Sequence, residues 1–307
     1  MTHRSLVIGL GSNVGGRESL LRAACDLLAR VDGVTLVARS GLYNTAPVGP
    51  AQPRYLNAAA LVRTALPLAA VFEATLAIER ALARERVLRW GPRTVDLDLL
   101  WREGEAVTSP TLTVPHAELL RREFALRPLL TLVPDAVDPR DGTALARALD
   151  ALGRDATMTE ADFAEAFPCE TLAHTADEGF VTVARDRADL LAAAAECMGA
   201  LIVDPRSVDA ARAVPVEVAV DEGAGDDERM FAWLAEVLYH LDAGRLALRR
   251  AVVFEDGGER VRGCLLGDDL DDTRQTVRTA LKAVTWHALE VGSQADGTWR
   301  AQVVVDV

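Results

Sequence analysis

A single lysine, Lys282, stands among 33 cationic side chains, so arginine carries nearly all the positive charge of this 307-residue chain. Arginine is a planar fork that stays charged, whereas lysine is a compact point charge whose pKa moves readily. A lone lysine in such a composition either survives by chance or does something arginine cannot. No apolar run reaches 18 residues, which excludes a membrane-spanning helix. The start, Met1-Thr2-His3-Arg4, runs directly into a strand pattern without the apolar core of a secretion signal. Four cysteines, Cys25, Cys169, Cys197 and Cys264, show neither close pairing nor metal-ligand spacing. That predicts reduced thiols and a cytoplasmic protein. The glycine-containing turn Gly9-Leu10-Gly11-Ser12-Asn13 is not followed by Lys-Ser or Lys-Thr, which excludes a Walker phosphate loop. Any phosphate chemistry must then rest on arginines and metal ions.

What the chain does have is unevenly spread. The net charge of −13 divides into roughly +2 over residues 1–150 and −15 over 151–307. A break of that size predicts two domains. The acidic half is a poor candidate for gripping nucleic acid directly, because phosphate binding needs cationic surface. Periodicity predicts strands over 5–10, 34–43, 56–64 and 94–101, and helices over 18–28, 67–82 and 124–132. The order β-α-β-β-α-β points to a ferredoxin-like α+β sandwich spanning 1–155. A short helix over 143–152 follows. Residues 156–167 are polar and acidic, and are expected to be a linker. From 168 to 307 a new alternation of strands and helices predicts a second α+β domain. It includes a hairpin around Asp256-Gly257-Gly258 and final strands over 284–291 and 299–307.

The most informative segment is Arg89-Trp90-Gly91-Pro92-Arg93-Thr94-Val95-Asp96-Leu97-Asp98-Leu99-Leu100. Side chains alternate along a strand, so Asp96 and Asp98 share one face and Leu97 and Leu99 the other. Two carboxylates about 7 Å apart on one face can hold hard cations such as Mg2+. Arg89 and Arg93 can grip phosphate oxygens with their forks. A lone Asp-x-Asp is ordinarily a solvated face. A rigid Trp-Gly-Pro turn between two arginines is not needed for that.

This segment resembles the signature of 6-hydroxymethyl-7,8-dihydropterin pyrophosphokinases, enzymes of folate biosynthesis. The resemblance runs in order through Ile8–Asn13, Tyr43-Asn44-Thr45-Ala46-Pro47-Val48-Gly49-Pro50, Tyr55-Leu56-Asn57-Ala58-Ala59, Leu112-Thr113-Val114-Pro115-His116 and Arg122-Glu123-Phe124. It implies a transferase that moves diphosphate from ATP to the pterin hydroxymethyl group and releases AMP. Two Mg2+ ions would sit on Asp96 and Asp98, with Arg84 and Arg93 as further catalytic groups. Glu79, Arg86, Arg89, Arg93, Leu99, Thr113, His116 and Arg122 would contact ATP. Thr45, Ala46, Pro47, Val48, Tyr55, Asn57 and Phe124 would bind pterin. Some other nucleotide transferase using Asp96 and Asp98 is the competing reading, and AMP release separates the two.

Residues 169–307 are similar to archeases, small proteins that assist GTP-dependent RNA-splicing ligases in tRNA processing. The likeness lies in His174-Thr175-Ala176-Asp177, Trp233–His240, Lys282–His287 and Trp299–Val307. It implies that Asp177 and Asp306 hold a divalent cation, with Ca2+ one expected ion, near His174, Glu236, Lys282 and His287. An RNA ligase is the expected partner, with no direct nucleic-acid binding. The alternative is a structural or chaperone-like module that stabilises the first domain.

Overall fold

The computed structural model describes residues 3–47, 51–83, 92–173, 178–271 and 273–307. The chain divides into two compact units, Met1–Arg17 with Ala24–Ala164, and Glu18–Ala23 with Glu165–Val307.

Elements of the first half are β1 (Arg4–Ser12), α1 (Arg17–Ala29), β2 (Val34–Arg39), β3 (Leu42–Thr45), β4 (Tyr55–Thr64), α2 (Leu68–Ala81), β5 (Asp96–Arg102), β6 (Val107–Thr108), β7 (Thr113–Val114), α3 (Glu123–Leu132), α4 (Leu145–Leu152) and β8 (Thr159–Ala161). The sheet runs β5-β1-β4-β3-β8, with β2 also on β4. All of these pairs are antiparallel. Strand β1 lies between β5 and β4, and its Leu6, Val7 and Ile8 are fully buried. Helix α2 starts after Pro67, whose fixed φ suits a helix entrance. It buries Leu68, Val71, Thr75 and Ile78 at helical spacing.

The strand expected over 34–43 breaks at Ser40-Gly41. Both pieces lie along β4, from Val34↔Thr64 to Thr45↔Tyr55. At the break the Ser40 hydroxyl accepts the Ala59 N–H at 2.9 Å, so a side chain takes over a ladder bond. Counting β2 and β3 as one interrupted strand gives the ferredoxin-like order expected from the sequence. Helices α3 and α4 close a core of Val7, Ala59, Leu100, Leu126, Leu129 and Leu145.

The stretch expected as a linker, 156–167, is not free of structure. It contains β8, which pairs with β3 from Leu42↔Ala161 to Asn44↔Thr159. The Tyr43 hydroxyl donates to Glu160 at 2.9 Å, and Arg54 donates to the Thr157 carbonyl at 2.7 Å. Three residues, Thr159-Glu160-Ala161, carry too little alternation to be read as a strand.

Elements of the second half are β9 (Cys169–Ala173), β10 (Glu178–Ala184), α5 (Arg187–Ile202), β11 (Arg212–Ala219), α6 (Asp226–Asp242), β12 (Leu246–Gly257), β13 (Arg260–Asp269), β14 (Ala283–Val284), β15 (Glu290–Ser293) and β16 (Trp299–Asp306). One sheet runs β14-β16-β10-β9, with β15 also on β16, and a second runs β11-β13-β12. Residues of α5 and α6 join both sheets in one core around Trp233. The Asp186 carboxylate caps α5 by accepting the Asp189 N–H at 2.9 Å. The strand expected over 284–291 is interrupted by a turn, with Ala288 at φ +52°, and only its ends pair with β16.

The expectation of four reduced thiols is corrected. Cys169 on β9 and Cys197 on α5 form a disulfide with Cα atoms 5.8 Å apart. The two lie 28 positions apart in sequence, so no local pattern announces the pair. Cys25 and Cys264 are buried and outside any disulfide of the described residues, and burial pushes the Cys264 thiol up to about 11. The argument for a cytoplasmic location from reduced thiols falls with this pair. Among the described residues no helix is long and apolar enough to cross a membrane.

Candidate active site

Strand β5 sits at the sheet edge, beside β1. Leu97 and Leu99 are buried, while Asp96 and Asp98 are half-buried on the opposite face. The alternation holds, and it also places the Leu99 side chain away from the two carboxylates. Any nucleotide contact by Leu99 is left to its backbone. An edge strand has N–H groups with no ladder partner. The one between the two aspartates, on Leu97, donates to buried Glu79 of α2 at 2.8 Å. Glu79, expected near the adenosine, therefore fixes the strand that carries the acids. Arg93 Nη1 lies 2.6 Å from Asp96 Oδ2, and both side chains remain about one-quarter exposed.

Register pairs Gly11 with Asp96 and Gly9 with Asp98 across β1 and β5. On its other side Gly11 pairs with Asn57 of β4. A methyl group on Gly11 would lie 3.2 Å from Asn57 Oδ1, and 3.9 Å from both the Asp96 Cβ and the Tyr55 ring. Residues expected for pterin and for metal thus border one space, which the missing side chain leaves open. Asn57 donates to the Thr45 hydroxyl at 2.8 Å, and both are buried. Ala46 is exposed and Pro47 half-buried after β3.

Further along, the His116 N–H donates to the Leu100 carbonyl at 2.9 Å. His116 Nδ1 accepts the Glu118 N–H at 3.2 Å. The histidine is therefore anchored to β5 by its backbone. The Arg122 guanidinium lies 5.8 Å from the Phe124 ring centroid. Thr113 lies half-buried on β7. Val48, Arg84, Arg86 and Arg89 lie outside the described residues.

The two carboxylates fit a Mg2+ ion. Magnesium is commonly held by one or two carboxylates, with waters and substrate phosphates completing the octahedron. Among the described residues no group of three or more His, Cys, Asp or Glu could hold a metal alone. The cradle over Gly11 leaves room for a ligand beside Asp96.

Asn13 was quoted only as part of a turn, yet it is almost wholly buried. Its Oδ1 accepts the Arg93 N–H at 2.8 Å. Its Nδ2 donates to Gln52 Oε1 at 3.0 Å and to the Pro53 carbonyl at 3.2 Å. The sequence signal was weak, since asparagine after Gly-Ser is an ordinary turn residue.

In the second unit, Lys282 and Asp306 come together. The Lys282 N–H donates to the Asp306 carbonyl at 2.9 Å, and Nζ donates to the Val307 carbonyl at 2.7 Å. Asp306, Lys282 and His287 are exposed. Glu236 lies 3.4 Å from His240, one turn along α6. Asp177 and His174 lie outside the described residues.

Two family models match the chain. Residues 7–134 match 7,8-dihydro-6-hydroxymethylpterin-pyrophosphokinase, and residues 169–307 match the archease protein family. The 2-amino-4-hydroxy-6-hydroxymethyldihydropteridine pyrophosphokinase of Synechocystis is 37% identical over 144 residues, covering 47% of this chain and 74% of that protein. The Bacillus subtilis protein of the same name is 44% identical over 123 residues, covering 40% and 74%. The solution structure of Methanobacterium thermoautotrophicum protein 1598 is 26% identical. It covers 45% of this chain and 98% of that one, with a TM-score of 0.38.

Proposed function

Because the chain belongs, through residues 7–134, to the 7,8-dihydro-6-hydroxymethylpterin-pyrophosphokinase family and carries an archease-like domain over 169–307, we propose the following assignment of its residues and a partner for its second half. The first domain is a folate-synthesis diphosphokinase. The shared space bordered by Asp96, Asn57 and Tyr55 carries the assignment of its site.

ATP carries about four negative charges, so transfer from it needs cations and exact positioning more than covalent chemistry. Asp96 and Asp98 hold Mg2+, which when bound neutralises phosphate charge and eases loss of the hydroxyl proton. Arg93 starts paired with Asp96 and has a fork free to share with a phosphate oxygen. His116 and Arg122 complete the ATP side. Thr45 and Asn57 read the pterin edge, and Tyr55 and Phe124 supply ring contacts. The pterin hydroxymethyl oxygen attacks the β-phosphorus in line. A new O–P bond forms, the α–β bridge breaks, AMP leaves, and one proton is released.

The second domain, in this proposal, assists a GTP-dependent RNA-splicing ligase in tRNA processing. Its acidic balance argues for contact with a protein rather than with RNA. Asp306 and Lys282, whose main chains are hydrogen-bonded at the strand end, are its functional residues. Asp177 lies outside the described residues, and among the described residues no three His, Cys, Asp or Glu side chains gather at Asp306. The test adds the full chain to such a ligase and counts ligations per ligase molecule. Many turnovers with wild type and few with Asp306→Ala are expected. Equal stimulation by the two proteins would remove Asp306 from the assignment, and no stimulation by either would remove the partner.

A further inference from the structure

Strands β3 and β4 stay paired as far as Asn44↔Leu56 and Thr45↔Tyr55. The residues assigned to the pterin, Thr45, Tyr55 and Asn57, stand at that end of the ladder. Arg54 immediately precedes it on the β4 side, half-buried. Its Nε donates to Asn44 Oδ1 at 3.2 Å, and its Nη2 to the Asn44 carbonyl at 3.0 Å. The same Nη2 donates to the Thr157 carbonyl at 2.7 Å. Thr157 leads into β8, which lies along the other edge of β3 with Thr159 opposite Asn44. One guanidinium therefore joins the ends of three strands. The family match stops at residue 134, so the third anchor comes from beyond it.

The strap that carries Thr157 is itself fixed. Asp155 Oδ1 accepts both the Thr157 N–H and the Thr157 hydroxyl, each at 2.8 Å. The Asp155 N–H donates to Glu123 of α3 at 2.7 Å. A planar fork can serve acceptors on two segments at once and hold their spacing, whereas an ammonium is a point charge on a flexible stem. We propose that Arg54 is a positioning residue for the pterin: anchored by the Thr157 strap, it sets the spacing of Thr45 against Tyr55 and Asn57 before the substrate arrives. This rests on the assignment of the pterin half made above. Groups already ordered cost less to immobilise on binding. The effect therefore falls on pterin binding, while Asp96, Asp98 and Arg93 keep their places on and before β5.

The experiment measures steady-state AMP release by the full chain, with 6-hydroxymethyl-7,8-dihydropterin varied at saturating Mg-ATP and then the reverse. Arg54→Ala is expected to raise the pterin KM about tenfold, the scale of one charge-assisted hydrogen bond, with kcat and the ATP KM within about twofold of wild type. Arg54→Lys keeps the charge and loses the fork, so it is expected to behave like Arg54→Ala. Asp155→Ala removes the turn beneath Thr157 at an exposed position. It is expected to raise the pterin KM about threefold, through the strap alone. Asp155→Asn keeps the Oδ1 acceptor and is expected to restore the wild-type value. If Arg54→Ala does not fold, Arg54→Lys and the two Asp155 variants carry the test. A pterin KM within about twofold of wild type in the folded Arg54 variants and in Asp155→Ala overturns the proposal. So does an equal rise in both KM values with a lowered melting temperature, the mark of a purely structural arginine. Absence of pterin-dependent AMP release by wild type overturns the site assignment instead.

Discussion

Asp96→Asn lowers kcat/KM for diphosphate transfer by about 10²- to 10³-fold or more, the cost of losing one preorganised electrostatic group at a transition state. The physical reason is charge. Asparagine keeps the size and one acceptor, but it removes the negative charge that holds a hard cation and balances Arg93 at 2.6 Å. Stability should barely change, because the Asp96 side chain is 22% exposed and its partner 25% exposed, and such pairs contribute about 0–1 kcal/mol. Steady-state kinetics at several Mg2+ concentrations, beside a thermal melt, separate the two effects. Activity within threefold of wild type at ordinary Mg2+ would show that β5 is a solvated strand face after all.

The second large effect is on stability. Trp233→Ala should destabilise the second unit by about 3–5 kcal/mol, the usual cost of deleting a large buried aromatic. Trp233 is fully buried at the centre of that core. Its indole N–H donates to the Leu191 carbonyl at 2.9 Å. A methyl group on Gly263 would approach its ring to 2.8 Å, so glycine is what lets the ring sit against β13. Met230, Val237 and Leu265 belong to the same buried core. Calorimetry of the full chain should show one transition shifted down. The same variant discriminates between two roles for the second domain. If it is an accessory module, diphosphokinase activity persists at a temperature where the shifted transition is complete. If it is a stabiliser of the first domain, activity is lost with it.

How much of this was legible in the sequence depends on the range of the forces involved. Alternation in Val95–Leu100 needed only local sterics, and the structure keeps Asp96 and Asp98 opposite Leu97 and Leu99. The ferredoxin-like order followed from element types and short connections. The break at Ser40-Gly41 did not, because it depends on a hydroxyl reaching Ala59, 19 positions away. Strand β8 was hidden for a similar reason: Thr159-Glu160-Ala161 is too short to show alternation, and its ladder partner is the distant β3. The Cys169–Cys197 bond required knowing that β9 comes to lie against α5. Asn13 was visible as a turn and invisible as a joint, since its partners Gln52, Pro53 and Arg93 are scattered over 41 positions of chain. Glu79 was found by resemblance, but its bond to the Leu97 N–H, the reason the edge strand is held, came only from three dimensions.

The central claim is that residues 7–134 transfer a diphosphate, as a unit, to a pterin alcohol. The most direct test incubates the full chain with Mg-ATP and 6-hydroxymethyl-7,8-dihydropterin and resolves the products by phosphorus NMR. The account predicts AMP and a pterin diphosphate ester in equal amounts, with both dependent on the pterin. ADP with a pterin monophosphate, free diphosphate with an adenylated product, or AMP formed without pterin would contradict it.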